Sequence, residues 1–237
     1  MKKPVLGVKI DDLNIPQILE IVEGWLKKPG KPFDRTQGKH YIVTPNPEII
    51  MMAQQDLDLR KILNEADLAI PDGRGLKLSG DIENTSPGID VMEELIKRAS
   101  DWTATVGFLG GRGKVAEKTA KCLLHKYPKL KVSFATYGGE VDEGGNLLKS
   151  LKVPKLDLLF VAFGPPKQEK WIAKNLPKLP IKVAMVVGGA FDYISGQVPR
   201  APWWIRDLGM EWLFRLIMEP WRIKRQLSLI KYLLMLW

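Results

Sequence analysis

Several short apolar runs in this chain end in a cluster of glycine, proline or aspartate and are followed by a helical pattern. The runs at 156–163 and 183–187 are nearly continuous, which is typical of strands buried on both faces of a parallel sheet. Further strands are predicted at 5–10, 40–44, 68–70, 105–109 and 131–137. The alternation of strand and helix therefore predicts an α/β fold with a parallel sheet flanked by helices.

The turn clusters indicate where a ligand would bind. In open α/β sheets, ligands occupy the crevice at the carboxyl ends of the strands. The clusters of this chain fall at such ends: Thr44-Pro45-Asn46-Pro47, Pro71-Asp72-Gly73, Gly110-Gly111-Arg112-Gly113, Gly164-Pro165-Pro166 and Gly188-Gly189-Ala190-Phe191-Asp192. The sequence therefore predicts a nucleotide or sugar site at this edge of the sheet.

Asp72 is the candidate for a catalytic base. It directly follows a short buried strand, and a carboxylate held there can take the proton of an attacking sugar hydroxyl. The alternative is that Asp72 only organises its Asp-Gly turn. Thr44 and Asn46 carry hydrogen-bonding side chains at the end of another strand, where capping of the following helix is their alternative role.

Other polar residues follow the remaining strands. Gly110 and Gly111 could present backbone N–H groups to a phosphate, or simply form a tight turn. Asp192 could accept a hydrogen bond from a uracil imide. Gln168 and Glu169, in the first turn of the helix predicted at 167–175, would face the same crevice or serve only as a cap.

A metal site is not predicted. Asp56-Leu57-Asp58 matches the Asp-x-Asp pattern that many nucleotide-sugar transferases use to hold a divalent ion, but it lies inside a helical pattern at 48–64. We interpret it as a solvated helix face, because a site for a metal and a diphosphate belongs in the crevice.

The C-terminal stretch differs in character from the rest. The net charge of the chain is +9, and residues 200–237 contain seven basic and three acidic residues together with five of the eight tryptophans. Helical patterns at 204–218 and from Trp221 onward carry apolar stripes beside basic faces, which is typical of helices that lie on a membrane surface. The alternatives are core packing and a homo-oligomer interface. We predict a core at 1–199 and an amphipathic helical appendage at 200–237.

Three arginines in this appendage, Arg215, Arg222 and Arg225, would lie roughly on one side of a continuous helical path. Guanidinium groups suit a diphosphate whose charge grows as it leaves. Contact with solvent or with lipid head groups is the alternative.

The chain is predicted to be cytoplasmic. Its only cysteine, Cys122, cannot form an internal disulfide, and its helical pattern predicts a buried side chain. The apolar run near the N-terminus is too short for a signal peptide, and no segment offers the roughly 18 uncharged apolar residues of a spanning helix. Membrane contact would then be peripheral.

Together these motifs resemble the WecG/TagA/CpsF family of glycosyltransferases, family 26. The matching blocks run in order along most of the chain: Thr44-Pro45-Asn46, Pro71-Asp72-Gly73, Gly88-Ile89-Asp90, Phe108-Leu109-Gly110-Gly111, Val161-Ala162-Phe163-Gly164-Pro165-Pro166-Lys167-Gln168-Glu169, Val187-Gly188-Gly189-Ala190-Phe191-Asp192 and the tail from Arg200-Ala201-Pro202 to Arg225.

The resemblance implies a Rossmann-like core and an inverting transfer of N-acetylmannosamine, or a related sugar, from a UDP-sugar. The implied acceptor is N-acetylglucosamine linked to undecaprenyl diphosphate at the cytoplasmic membrane surface, in teichoic acid linkage-unit or surface polysaccharide synthesis, with no metal or other cofactor. It implies Asp72 as base, with Thr44, Asn46 and Gln168 around the sugar and Asp192 near the nucleotide. The substrate-binding residues expected in addition are Asp90, Gly110, Gly111, Gly164, Pro165, Gly189, Arg215, Arg222 and Arg225.

Other function classes leave different signatures. A peripheral membrane nucleotide-binding module without turnover is the main alternative. Nucleic-acid binding, suggested by the charge of +9, is not expected because no binding motif is present and the basic tail is lipid-like. The glycine turn lacks the Gly-x-Gly-x-x-Gly pattern of a dinucleotide oxidoreductase.

Overall fold

A six-stranded, entirely parallel sheet forms the centre of the molecule. The computed structural model describes residues 2–27, 38–220 and 223–236, without the side chains of 224–226. The strand order is β4-β3-β8-β7-β5-β6. The strands are β3 (His40–Val43), β4 (Leu68–Ala69), β5 (Thr105–Gly110), β6 (Lys131–Thr136), β7 (Leu156–Ala162) and β8 (Ile181–Val186). The predicted Rossmann-like α/β fold is confirmed.

Helices cover both faces of this sheet because its central strands are apolar on both sides. Phe160 of β7 packs into one core and its neighbour Val161 into the other. The first core is closed by α1 (Ile15–Lys27), α4 (Gly88–Asp101), α5 (Val115–Lys126) and α7 (Ala190–Ile194). The second is closed by α2 (Pro47–Gln55), α3 (Leu57–Glu65), α6 (Lys167–Asn175) and α10 (Ile223–Leu236).

The first strand prediction was wrong. Instead of one strand over 5–10, the chain forms an antiparallel hairpin of β1 (Lys2–Val5) and β2 (Val8–Asp11), which is separate from the six-stranded sheet among the described strands. Leu6 and Gly7 turn the chain with φ of 46° and 79°. Two consecutive positive φ values are the geometry of a two-residue hairpin turn, which a glycine at the second position favours.

The helix predicted at 48–64 is two helices, α2 and α3, with Asp56 between them in an extended conformation. The Asp56 carboxylate accepts a hydrogen bond of 2.9 Å from the N–H of Leu59 and pairs with Lys170 at 2.6 Å. An aspartate favours such a cap over a helix interior. The expectation that Asp56 lies on a solvated helix face is therefore wrong. Cys122, expected to be buried, is exposed on α5.

The C-terminal segment is defined here as residues 200–236, and its described residues form three α-helices. The helix predicted at 204–218 is divided at Gly209, where φ is +74°, into α8 (Trp203–Asp207) and α9 (Glu211–Met218). α10 packs against α2 and buries Tyr232 completely. Its Leu229 and Leu233 contact the same core. The division of the chain into residues 1–199 and 200–237 stays a prediction.

Candidate active site

The carboxyl ends of the parallel strands place the predicted site residues along one edge of the sheet. Thr44 and Asn46 follow β3, and Asp72 follows its neighbour β4. Gly188 follows β8, which lies between β3 and β7, and Gly164 follows β7. This edge therefore brings together side chains that lie far apart in the sequence.

Asp72 is held by groups from three elements. Its backbone N–H donates to the carbonyl of Pro45 at 3.0 Å, and its Oδ1 accepts the N–H of Gly88 at 3.1 Å. The side chain of Asn46 also hydrogen-bonds the carboxylate. Burial raises the pKa of Asp72 to about 6, against the hydrogen bond from Gly88, and the negative charge of Glu211 raises it further. A carboxyl that titrates near neutral pH suits a general base.

Asn46 and Thr44 contribute to this corner in different ways. Oδ1 of Asn46 accepts the N–H of Ile49 at 3.0 Å and so caps α2, while the same side chain contacts Asp72. The capping alternative is therefore correct and does not exclude a role in the site. Thr44 is buried against Gly88, where a Cβ would lie 3.1 Å from its methyl group. Gly88 thus allows α4 to begin close to Thr44 and Asp72.

Gln168 joins two strand ends. Its Oε1 accepts the N–H groups of Gly164 and Gly188, each at 3.2 Å, and its Nε2 donates to Glu169 at 2.9 Å. Gln168 is almost fully buried, so its amide shapes the loops after β7 and β8. The contact of Gln168 with the sugar stays a prediction. The same is true of the contact of Pro165 with the substrate. Glu169 is completely buried, and this burial raises its pKa to about 7.

The glycine turn after β5 is explained largely by packing. A Cβ on Gly110, which has a φ of +107°, would lie 2.6 Å from the backbone of Ala162 on β7. The N–H of Gly111 already donates to the carbonyl of Ala162 at 2.8 Å. That N–H therefore already has an acceptor on the neighbouring strand, and the binding of substrate at Gly111 stays a prediction. Phosphate contact at Gly110 stays a prediction.

Arg215 reaches the end of β8 from α9. Its Nε lies 2.8 Å from Glu219, and its Nη2 lies 3.9 Å from Asp192. Its guanidinium lies 4.8 Å from the centre of the Tyr193 ring, and a Cβ on Gly189 would collide with it. The structure therefore brings the predicted residues Gly189, Asp192 and Arg215 together.

Asp90 was predicted to bind substrate, and in the structure it pairs with a residue that received no role from the sequence. Its Oδ1 lies 2.6 Å from Nη2 of Arg200. Nε of Arg200 lies 3.7 Å from Glu211 at the start of α9. In the sequence, Arg200 stands out only as part of the Arg-Ala-Pro block. Nothing in the sequence indicates a role in the site for Glu211, because an acidic residue at the start of a helix is common.

Two predicted arginines cannot be placed in the site. Arg222 lies outside the described residues, and the described part of Arg225 is only its backbone in α10. Their role at a diphosphate stays a prediction.

The outer surface of the C-terminal segment is apolar. On α10 the described members of the predicted apolar stripe are each exposed by half or more, with Leu234 at 75%; they are Ile223, Leu227, Ile230 and Leu234. On α8 and α9 the exposed fraction reaches 72% at Trp203. No helix in the described parts of the chain is long and apolar enough to cross a membrane. The exposed large apolar residues of the segment are Trp203, Trp204, Leu208, Met210, Trp212, Ile217, Met218, Ile223, Leu227, Ile230, Leu234 and Met235.

Comparison with known proteins decides the family. The model of the glycosyl transferase WecG/TagA/CpsF family matches residues 3–237. The chain belongs to this family. The predicted resemblance and the predicted glycosyltransferase activity class are thereby confirmed.

Curated relatives carry one shared description. The chain is 32% identical over 234 residues to the N-acetylglucosaminyldiphosphoundecaprenol N-acetyl-beta-D-mannosaminyltransferase of Staphylococcus aureus (strain MW2), covering 96% of this chain and 89% of that protein. It is 35% identical over 210 residues to the protein of the same description from Bacillus subtilis (strain 168), covering 83% of this chain and 81% of the relative. The similarity thus extends through the strand ends and into the C-terminal segment.

Proposed function

We propose that this enzyme transfers N-acetylmannosamine from a UDP-sugar to N-acetylglucosamine on undecaprenyl diphosphate, with inversion at the anomeric carbon. The observation that carries the proposal is Asp72, a carboxylate held by Gly88 and Asn46 at a strand end with a pKa of about 6. The acceptor and the transferred sugar are those that the names of the two relatives describe.

Asp72 acts as the base in this proposal. The acceptor hydroxyl attacks the anomeric carbon while its proton passes to the Asp72 carboxylate, and the bond from that carbon to the diphosphate of UDP breaks. A single displacement of this kind inverts the anomeric centre. Thr44 and Asn46 lie beside Asp72, where their side chains would orient the sugar.

The leaving diphosphate gains negative charge, and we propose that arginine side chains bind it and stabilise this charge. Nη2 of Arg215 is buried with no hydrogen bond in the described part of the chain, and it lies beside the glycines after β8. In the proposal Arg222 and Arg225 act with it and no metal is needed. Asp56, the first residue of the Asp-x-Asp pattern, already caps α3 and pairs with Lys170.

The lipid-linked acceptor requires the enzyme to work at the inner face of the cell membrane. The exposed apolar side chains of α8, α9 and α10, together with the basic residues of the C-terminal segment, suit a peripheral contact with anionic lipid. Bilayer contact would also bring the acceptor diphosphate to the edge where Asp72 lies.

The test is UDP release by purified enzyme with UDP-N-acetylmannosamine and a short-chain lipid-diphosphate N-acetylglucosamine. Release that depends on acceptor supports the proposal, and a panel of UDP-sugars identifies the donor. Asp72→Asn should lower kcat by about 10²-fold or more, as expected for loss of a general base, with UDP binding nearly unchanged. No release with any acceptor would favour a nucleotide-binding module without turnover. Full activity of Asp72→Asn would remove the base role.

A further inference from the structure

Arg200 connects the C-terminal segment to the core by charge. It lies between α7 and α8 and contacts carboxylates on two other helices, Asp90 of α4 at 2.6 Å and Glu211 of α9 at 3.7 Å. Only 21% of its side chain is exposed, and those of the two acids are about one third exposed. A guanidinium within 4 Å of two carboxylates attracts both of them, and its partial burial makes this attraction stronger than that of a fully exposed pair.

Both carboxylates that Arg200 contacts also interact with Asp72 through their charge. Asp90 lies two residues after Gly88, whose N–H donates to the Asp72 carboxylate. Burial is the main cause of the raised pKa of Asp72, and the charges of Glu211 and Asp90 raise it further, while Gly88 and Asn46 lower it. Arg74, two residues after Asp72, is half-exposed and paired with Asp207 at 3.3 Å.

We propose that Arg200 is a positioning residue for the transfer reaction, which fixes Asp90 and Glu211 and offsets their charge so that Asp72 stays ionised at the working pH. The proposal rests on the proposed function, in which Asp72 is the base. It assigns a task to Arg200 that involves no contact with either substrate, because its charge acts through the two acids. It also means that α9 must be packed against the core for Asp72 to act as the base.

The proposal predicts opposite effects for two neighbouring substitutions. Arg200→Gln leaves two uncompensated carboxylates near Asp72 and should move the acid limb of the kcat/KM profile up by about half a pH unit to one unit. Glu211→Gln removes one of those carboxylates and should move the same limb down by a similar amount. Arg200→Lys keeps the charge and should leave the limb close to that of the unchanged enzyme, although it loses the planar geometry of arginine.

The first measurement is the pH dependence of kcat/KM for the unchanged enzyme and these three variants. If Arg200 only supported the fold, Arg200→Gln and Glu211→Gln would both lose activity with no change in the midpoint, and that result would overturn the proposal. If Arg200→Gln does not fold, Glu211→Gln still tests the proposal, since an unchanged midpoint in that variant overturns it.

A second measurement separates this proposal from the proposed function. The pKa of Asp72 is determined directly, without substrate, by ¹³C NMR of enzyme labelled at the aspartate carboxyl carbon, with the signal assigned from Asp72→Asn. Opposite changes of that pKa in Arg200→Gln and Glu211→Gln support the role of Arg200. If they occur while the rate profile stays fixed, the base role of Asp72 fails, and only the electrostatic effect of Arg200 on the Asp72 carboxylate stands. No change of the pKa in either variant rejects the role of Arg200.

Discussion

The strand-end edge and the C-terminal segment distribute polar and apolar groups in opposite ways. At the edge, polar side chains such as Gln168 are buried and bonded to backbone groups. In the C-terminal segment, large apolar side chains such as Trp203 face outward, while Arg200 and Arg215 face inward. Hydrogen bonds to backbone groups therefore organise the edge, which Arg215 reaches from the C-terminal segment, whereas the outer face of that segment exposes large apolar side chains. In the proposed function, chemistry and membrane contact would occupy different regions, which Arg200 and Arg215 connect.

The contrast between the two regions assumes that the inner face of α10 is part of the core. Tyr232→Ala tests this assumption and is expected to have the largest effect on stability. Tyr232 is completely buried against the second core, so its truncation should cost about 3 to 5 kcal/mol of unfolding free energy. The measurement is chemical denaturation. Tyr232→Phe is the matched control and should be neutral or stabilising, because the buried hydroxyl has no hydrogen-bond partner in the described part of the chain. A stable Tyr232→Ala variant would show that α10 is detachable.

Because Glu169 is buried at the edge, its ionisation should make the stability of the protein depend on pH. Its pKa is about 7 in the folded protein against an ordinary value of 4.5. Its contribution is therefore fully present below pH 4.5 and is lost as the pH rises through about 7. Since one unit of pKa corresponds to about 1.4 kcal/mol, the loss reaches on the order of 3 kcal/mol.

Glu169→Gln removes this titration and is the test. The difference in unfolding free energy between the variant and the unchanged protein should shift in favour of the variant as the pH rises from 5 to 8.5. Chemical denaturation at both pH values measures this difference. The side-chain amide oxygen introduced by Glu169→Gln can still accept the hydrogen bond from Nε2 of Gln168. Gln168 should therefore continue to connect the loops after β7 and β8. An identical stability difference at the two pH values would contradict the prediction.

The contact between the two regions at Gly189 should affect activity more than stability. Gly189→Ala places a Cβ in the position of the Arg215 guanidinium and should lower kcat/KM about tenfold, equivalent to about 1.4 kcal/mol. The measurement is the UDP-release assay. Gly24→Ala in α1 is the control, because a Cβ there meets nothing within 4 Å. Full activity of Gly189→Ala would mean that Arg215 is not needed where the structure places it.

The smallest effect on stability is expected on the outer face of α10. Leu227→Ser with Leu234→Ser changes two side chains that are more than half exposed, so unfolding free energy should change by about 0.5 kcal/mol or less. Binding to vesicles with anionic lipid, measured by sedimentation, should fall clearly. Unchanged binding, with a change in oligomeric state, would assign this face to a second copy of the chain.

Much of the fold could be predicted because it depends on local pattern. The predicted helix at 167–175 matches α6, and the strand at 105–109 matches β5 to within a residue. The errors occurred where one residue interrupts a continuous pattern, as Asp56 does between α2 and α3 and Gly209 between α8 and α9. The apolar period continues across such a residue, so the pattern alone does not show the break.

The site could be predicted in position more than in detail. Parallel strands place their carboxyl ends at one edge, so the location of Asp72 followed from chain order and strand type. The partners of Arg200 did not follow, because Asp90 lies far from it in sequence and no local pattern links Arg200 to Glu211. The burial of Glu169 was also hidden, since a glutamate in a first helical turn is usually solvated.

By itself the sequence determined most of the strands and helices, the edge at which the turns gather and the apolar stripe of α10, because these depend on spacing along the chain. Only the tertiary structure decided that β8 lies between β3 and β7, that α10 buries Tyr232 while exposing its other face, and that Arg200 joins α4 to α9. The physical reason is that pKa, charge pairing and burial depend on neighbours brought together by folding, and these neighbours come from distant parts of the chain.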